Sequence, residues 1–226
     1  MGTSRCSRVG RHSWQGHPLL VPRKWSPVED LGCRPDRLGE LRLARSHLRS
    51  NPPHGCTAFR YDWLVPILQR LCAAHAPAVL AFELANRSYF AAFISDRGDE
   101  FYIHFTENYN ALLVEQETEA CIFHVLVDDD GTVLGRFNLV EIHDGTAVLG
   151  YRLAENVAGR GVATATVQEL CQLAAAEYGL RTLRAATTLD NVASQKVLTK
   201  AGFASAGPAE PGGRPGTWYQ RALNYD

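Results

Sequence analysis

Apolar and polar positions along the 226-residue chain fall into readable periods from about Phe59 onward. Leu64-Val65-Pro66-Ile67-Leu68 reads as a first strand, and Pro66, which cannot donate to a ladder, marks it as a sheet edge. Val79, Phe82, Ala85, Tyr89 and Phe93 recur at three- and four-residue spacing and predict a helix over 76–93. Gly98 interrupts, and a second helix is expected over 105–119, with Thr106 as its N-cap and Leu112, Leu113 and Gln116 along it. Three short β-prone runs follow: 121–127, 133–142 and 147–153. The turns between them carry Asp129-Asp130-Gly131 and Asp144-Gly145, so they are read as an antiparallel meander. A long amphipathic helix over 162–178 puts Ala163, Val167, Leu170 and Ala174 on one face, and Gly179 ends it. After it come a strand over 182–188 and a helix over 191–201, with Asn191 at the N-cap and Gly202 just past the end. A short strand starts at Phe203, Gly212-Gly213 breaks it, and Trp218 to Leu223 closes the sheet. The predicted order is β-α-α-β-β-β-α-β-α-β-β in one α/β (α+β) domain over 56–226.

The region before that domain behaves differently. Residues 1–55 hold ten Arg and Lys against four Asp and Glu, are rich in Ser, Gly and Pro, and show no sustained period. They read as a basic, disordered extension with at most a short helix near Leu38 to Leu48. The net charge of −1 therefore hides a mildly acidic folded part. That balance suits cationic or amine partners and makes nucleic acid an unexpected one. The six cysteines include no Cys-x-x-Cys pair, so neither a zinc site nor a secreted disulfide framework is indicated. Cys121 and Cys171 sit in apolar runs and read as small core residues. No run reaches membrane-spanning length and no signal-peptide core opens the chain, so the expected setting is cytoplasmic. The scattered His75, His104 and His124 lack ligand spacing, and no metal is expected.

The densest chemical signal is Thr146 to Thr164, a strand, a short turn and then Ala158-Gly159-Arg160-Gly161-Val162-Ala163 at a helix start. Unpaired helix N–H groups and the positive end of the helix dipole make such a junction an anion site, and glycine lets a phosphate approach the main chain. A Walker loop would need Gly-Lys-Ser/Thr, but Val162-Ala163 follow Gly161; a dinucleotide fingerprint would need a glycine where Thr164 stands. The loop resembles the Gln/Arg-x-x-Gly-x-Gly/Ala motif of the GNAT superfamily of acetyl-CoA-dependent N-acetyltransferases. Gly161 and Ala163 match its small positions, and Ala158 departs from the usual Gln or Arg. A plain strand-to-helix turn is the other reading of the loop alone. Asn191-Val192-Ala193-Ser194, followed by Gly202-Phe203, is similar to the Asn-x-x-Ser…Gly-Phe segment of the RimJ/RimL branch, whose members acetylate protein N-terminal amines. The two motifs and the strand order extend the likeness over residues 60–223.

That resemblance implies a GNAT fold, a mixed and largely antiparallel sheet flanked by helices, with its central strands splayed. It implies acetyl-CoA as co-substrate and direct attack by an amine in a ternary complex. The amides of Gly159, Arg160, Gly161, Val162, Ala163 and Thr164 would hold the diphosphate. The pantetheine arm would pair beside Tyr151, Arg152 and Leu153, with an N–H near Leu153 facing the developing oxyanion. Asn191 would bond the arm or serve as a plain helix cap. The tyrosine that many relatives carry seven residues after that Asn is Leu198 here, so Ser194 is the expected proton donor to the thiolate, its bland alternative being a first-turn hydroxyl. Glu141 is the candidate base and His143 the runner-up, although either residue can simply be solvated at a hairpin; Glu210 fits the spacing poorly. The acceptor would be a protein N-terminus, with an aminoglycoside-like or other small polyamine as the alternative. The rival class is a non-catalytic acetyl-CoA-binding module, and a homodimer is left open. Trp63, Tyr89, Phe93, Phe101 and Tyr102 line an acceptor cleft or pack the core.

Overall fold

Seven strands form one sheet in the computed structural model, which describes residues 66–223. The strands are β1 (Ile67–Arg70), β2 (Ile122–Val127), β3 (Val133–His143), β4 (Thr146–Leu153), β5 (Thr182–Thr188), β6 (Ala204–Ala209) and β7 (Gly216–Ala222). Their spatial order is β1-β2-β3-β4-β5-β7-β6. Every neighbouring pair is antiparallel except β4 with β5, which is parallel. The helices are α1 (Ala76–Ala85), α2 (Arg87–Ala91), α3 (Asp99–Ile103), α4 (Phe105–Glu117), α5 (Val162–Ala176) and α6 (Val192–Lys200). The fold class and the mixed sheet flanked by helices are as the sequence implied, with four helices between β1 and β2 where two were expected.

Two apolar cores cover the two faces of the sheet. On one face α5 and α6 bury Val167, Leu170, Ala174 and Leu198 against Phe137, Leu139, Leu149 and Leu183. On the other, Val79, Phe82, Phe90, Phe105 and Tyr109 from the first four helices meet Phe123, Val125 and Val140. Alternation along β3 and β4 assigns their residues to these faces: Phe137 and Tyr151 look toward α5, while Arg136 and Arg152 look toward α1. Cys121 and Cys171 are buried, and His124 is buried with Nε2 2.9 Å from the Tyr178 hydroxyl, a packed structural histidine.

Several boundaries differ from expectation for local reasons. The helix expected over 76–93 breaks at Asn86. That side chain donates to the Phe82 carbonyl and accepts from the Glu155 amide, so it serves the chain near β4 rather than a continuous helix. The helix over 105–119 starts one residue before Thr106, because α3 runs almost directly into it and His104 takes the cap position without a side-chain bond. β1 is an edge strand, as Pro66 suggested, while Leu64, Val65 and Trp63 lie outside the described residues, as does the whole 1–55 extension. The last helix and strands agree within two residues, except that β6 ends against a turn at Pro211–Gly213 and β7 begins at Gly216.

The functional consequence of the topology is at the β4–β5 junction. The parallel register runs only through Thr146↔Thr182, Ala147↔Leu183 and Val148↔Arg184. β4 then continues five residues, to Leu153, paired with β3 alone.

Candidate acetyl-donor and acceptor site

The unpaired half of β4 presents main-chain donors to a gap. Ala154 donates to the Leu134 carbonyl, and the register from Val148↔Val140 to Leu153↔Gly135 is continuous. In an antiparallel pair, narrow and wide positions alternate, so Arg152, Gly150 and Val148 bond to β3 while Tyr151 and Leu153 turn their N–H groups the other way. These two amides therefore face the space that β5 has left. Beyond them, the chain makes one tight turn at Glu155–Val157 and enters the glycine loop.

Gly159 (φ 76°) and Gly161 (φ 83°) both take left-handed backbone, and Gly161 is the N-cap of α5. That conformation is costly for a residue with a Cβ. A Cβ built at either position would meet no atom within 4 Å, so the space above the loop is open. The first main-chain bond of α5 is Ala165 N–H to the Gly161 carbonyl, which leaves the amides of Val162, Ala163 and Thr164 as a helix-start cluster without a side-chain cap. A concave, glycine-lined ring of donors at a dipole's positive end fits a diphosphate well. Arg160 is exposed beside it.

Across the gap, α6 brings a second motif to β4. The Asn191 side chain accepts from Ser194 N–H at 3.0 Å, so Asn191 is a working N-cap. Ser194 Oγ lies 3.1 Å from the Tyr151 hydroxyl. The Tyr151 ring stacks on Phe137 with centroids 5.7 Å apart and planes within 9°, which fixes its direction. Burial pushes the phenol up to about 12, while the hydrogen bond with Ser194 pulls the other way. Across neutral pH the pair is thus two linked hydroxyls, both able to donate. Leu198, at the position where a tyrosine is common, is packed in the core at 1% exposure.

The structure does not bring Glu141 to this pair. Glu141 is exposed, with φ 53° at the irregularity between Val140 and His143. It is four residues along β3 from Phe137, the partner of Tyr151, which is about 13 Å, and toward the end where β4 and β5 are still joined. His143 is exposed as well and pairs with Asp144, 2.9 Å away. Glu210 is exposed at the end of β6.

The α1 side of β4 holds an ionic cluster that the sequence reading passed over. Glu83, 1% exposed, receives Arg136 Nη1 at 3.2 Å and Arg152 Nη1 at 2.8 Å. Burial raises the Glu83 carboxyl, yet the positive field of Arg152, Arg97 and Arg136, with a hydrogen bond from Arg136, outweighs it and holds the group below its ordinary 4.5. Glu83 and Arg152 open onto a pocket walled by Phe90, Ile94, Arg97 and Tyr102. Of the aromatic candidates, Tyr102 lines this pocket, whereas Tyr89 and Phe101 pack against the core. A signal for the cluster was present: Glu83 stands four residues after Val79 on the apolar stripe, and Arg136 sits among Leu134, Gly135 and Phe137. A charge at a core position implies a buried partner.

Known proteins carry the same architecture. Residues 67–204 match the model of the Acetyltransferase (GNAT) domain family. A probable N-acetyltransferase, YjcK of Bacillus subtilis (strain 168), is 30% identical over 139 residues, 58% of this chain and 75% of that protein. Among solved structures, ribosomal-protein-S5-alanine acetyltransferase from Vibrio fischeri superposes with a TM-score of 0.66 at 18% identity, over 73% of this chain and 96% of that one. RimL, a ribosomal L7/L12 α-N-protein acetyltransferase in complex with coenzyme A, gives 0.64 at 18% identity, over 72% and 96%. Spermidine N-acetyltransferase from Vibrio cholerae, with coenzyme A and spermine, gives 0.58 at 16%, over 69% and 94%. With a family match across most of the described fold and a relative matched over three quarters of its length, the chain belongs to the GNAT acetyltransferase family and is an N-acetyltransferase.

Proposed function

We propose that this enzyme transfers the acetyl group of acetyl-CoA to a primary amine, with a protein N-terminal α-amine as the leading acceptor. The observation that carries the reading is the gap between β4 and β5, with outward amides along β4 and the open glycine ring at its far end. As substrate, acetyl-CoA supplies an activated thioester carbonyl. The amides from Gly159 to Thr164 hold the diphosphate, and the free edge at Tyr151 to Leu153 aligns the amide-bearing arm like an added strand. The outward N–H groups of Tyr151 and Leu153 then lie where negative charge develops on the thioester oxygen, an interaction worth about 2.7–4 kcal/mol for one donor.

Proton transfer uses the hydroxyl pair. Ser194 Oγ donates to the departing sulfur as the Tyr151 phenol, bonded to it, passes its proton to Ser194, and the proton shed by the acylated amine restores the phenol, so that one proton moves in net from the amine nitrogen to the sulfur. Asn191 fixes Ser194 through its backbone amide. No dedicated carboxylate base is assigned, because an α-amine titrates near about 8 and a fraction is neutral at physiological pH. Glu83 is an unsuitable base, since its ion pairs keep it ionised and weakly basic.

A polyamine acceptor draws support from the likeness to the spermidine enzyme, but the arginines beside β4 would repel a polycation. A non-catalytic module is the remaining reading, motivated by Ala158 and Leu198. Thiol release from acetyl-CoA across peptides and small amines tests the proposal: turnover with peptide N-termini supports it, and binding without release of coenzyme A with any amine overturns it.

A further inference from the structure

The pocket on the α1 face of β4 has an uneven balance of charge. Arg87 is taken by two carboxylates, Asp96 at 2.5 Å and Asp99 at 2.7 Å, and Asp99 is 82% exposed to water. Further in, Arg136 and Arg152 share the single charge of Glu83. Arg97, over the Phe101 ring at 4.3 Å, adds a third guanidinium and makes no ion pair among the described residues. Three cations thus surround one anion, and the Nε of Arg136, in a residue only 4% exposed, has no hydrogen-bond partner. Arg136 is buried and Arg152 largely so with one carboxylate between them, a costly imbalance, and Arg97 adds positive charge at the exposed rim, so the site is prepared for an added anion.

Its position says which molecule brings that anion. Arg152 adjoins Tyr151 and Leu153, whose amides face the gap, while Arg152 itself opens into the pocket. Two residues back on the same face is Gly150, which is exposed and has nothing within 4 Å of where a side chain would begin. That glycine puts no side chain on this face of β4 beside Arg152, about 7 Å along the strand. Opposite Gly150 stands Asn138, whose Oδ1 is buried without a hydrogen-bond partner.

We propose that the preferred acceptor is an amine bearing its own carboxylate a few ångströms away, held by Arg152 and Arg97 while Asn138 receives the amine. The inference rests on the acetyltransferase reading and narrows its acceptor. The carboxylate can be the α-carboxylate of a small amino acid or an acidic side chain next to a protein N-terminus; arginine's forked donors suit either.

The test measures kcat/KM for release of coenzyme A with matched acceptors on the full chain. One arm sets free amino acids against their amides, and the other sets peptides with Asp or Glu at the second residue against the same peptides with Gln or Lys. The expected result is at least a tenfold preference for the anionic member in one arm, mostly in KM and shrinking with added salt. Arg97→Gln, a change at an exposed side chain, brings that ratio toward one, and Arg97→Glu inverts it. Equal rates within each pair, a preference for Lys or spermine, or a ratio untouched in both Arg97 variants would overturn the inference, whereas no release with any acceptor would remove the acetyltransferase reading itself.

Discussion

Replacing Glu83 by Gln keeps size and one acceptor oxygen but removes the carboxylate that Arg136 and Arg152 share. Arg136 is 4% exposed and cannot swing into water, while Arg152, with 21% of its side chain exposed, can move in part. Breaking a buried pair from one side costs about 3–5 kcal/mol, and the partial freedom of Arg152 favours the low end, about 3 kcal/mol. For a domain of this size, about 2–4 °C of Tm follows each kcal/mol, so the variant should melt about 6–12 °C lower at neutral pH. The pH dependence separates this cause from mere loss of packing. A carboxyl held below 4.5 in the folded state contributes stability that is present above that value and fades as pH falls through the folded pKa. The gap between the two proteins should therefore narrow as pH falls below 4.5. Glu83→Leu combined with Arg136→Met, which replaces the pair by apolar volume, should recover much of the loss. Calorimetric melts from pH 3 to 8 on the three proteins measure all of this. A Glu83→Gln protein within about 1 kcal/mol of the parent, or one whose deficit is independent of pH, would refute the buried counter-ion argument.

Three further outcomes follow from the site and its surroundings. Ser194→Ala should lower kcat by about 10²-fold with little change in coenzyme A affinity, and Tyr151→Phe should lower it less, since a serine hydroxyl remains; unchanged kcat in Ser194→Ala removes the hydroxyl from the mechanism. Asn191→Ala should cost about 1 kcal/mol in urea unfolding through loss of the α6 cap, and should also reduce turnover because Ser194 loses its anchor. Glu169, on α5, has one buried oxygen without a partner, and burial pushes its carboxyl up to about 7. A raised carboxyl pKa makes the ionised form a burden as pH rises above the unfolded value, so Glu169→Gln should stabilise by about 1 kcal/mol at pH 8 and by nothing near pH 4, as read from melts at both.

Much of the fold was legible because its signals are local. Asp-Gly turns set the β2–β3–β4 meander, Gly179 and Gly202 closed the helices, and the Asn191 cap is where a first-turn Ser-containing motif predicts it. Asn86 was missed because its effect is tertiary: its side chain is drawn to the Glu155 amide, and no helical period reports that contact. The glycine loop at the start of α5 and Ser194 in the first turn of α6 lie on the elements that the motif spacing predicts, whereas the Tyr151–Ser194 bond spans 43 positions and depends on how β4 parts from β5. Glu141 lies away from the hydroxyl pair. Position at a strand end suggested a base, but strand direction puts that end where the sheet is closed. Glu83 and Arg136, 53 residues apart, needed the question of which partner a core-facing charge must find.

Isothermal titration of coenzyme A into the parent and Gly161→Val proteins tests the central claim most directly. The valine adds a side chain above the ring at a φ of 83°, a backbone cost of about 1–2 kcal/mol that leaves the protein folded at 25 °C. The expected result is one site per chain in the parent and at least tenfold weaker binding in the variant. No heat with the parent, or equal affinity in both, would contradict the claim that main-chain amides around Gly161 hold the diphosphate.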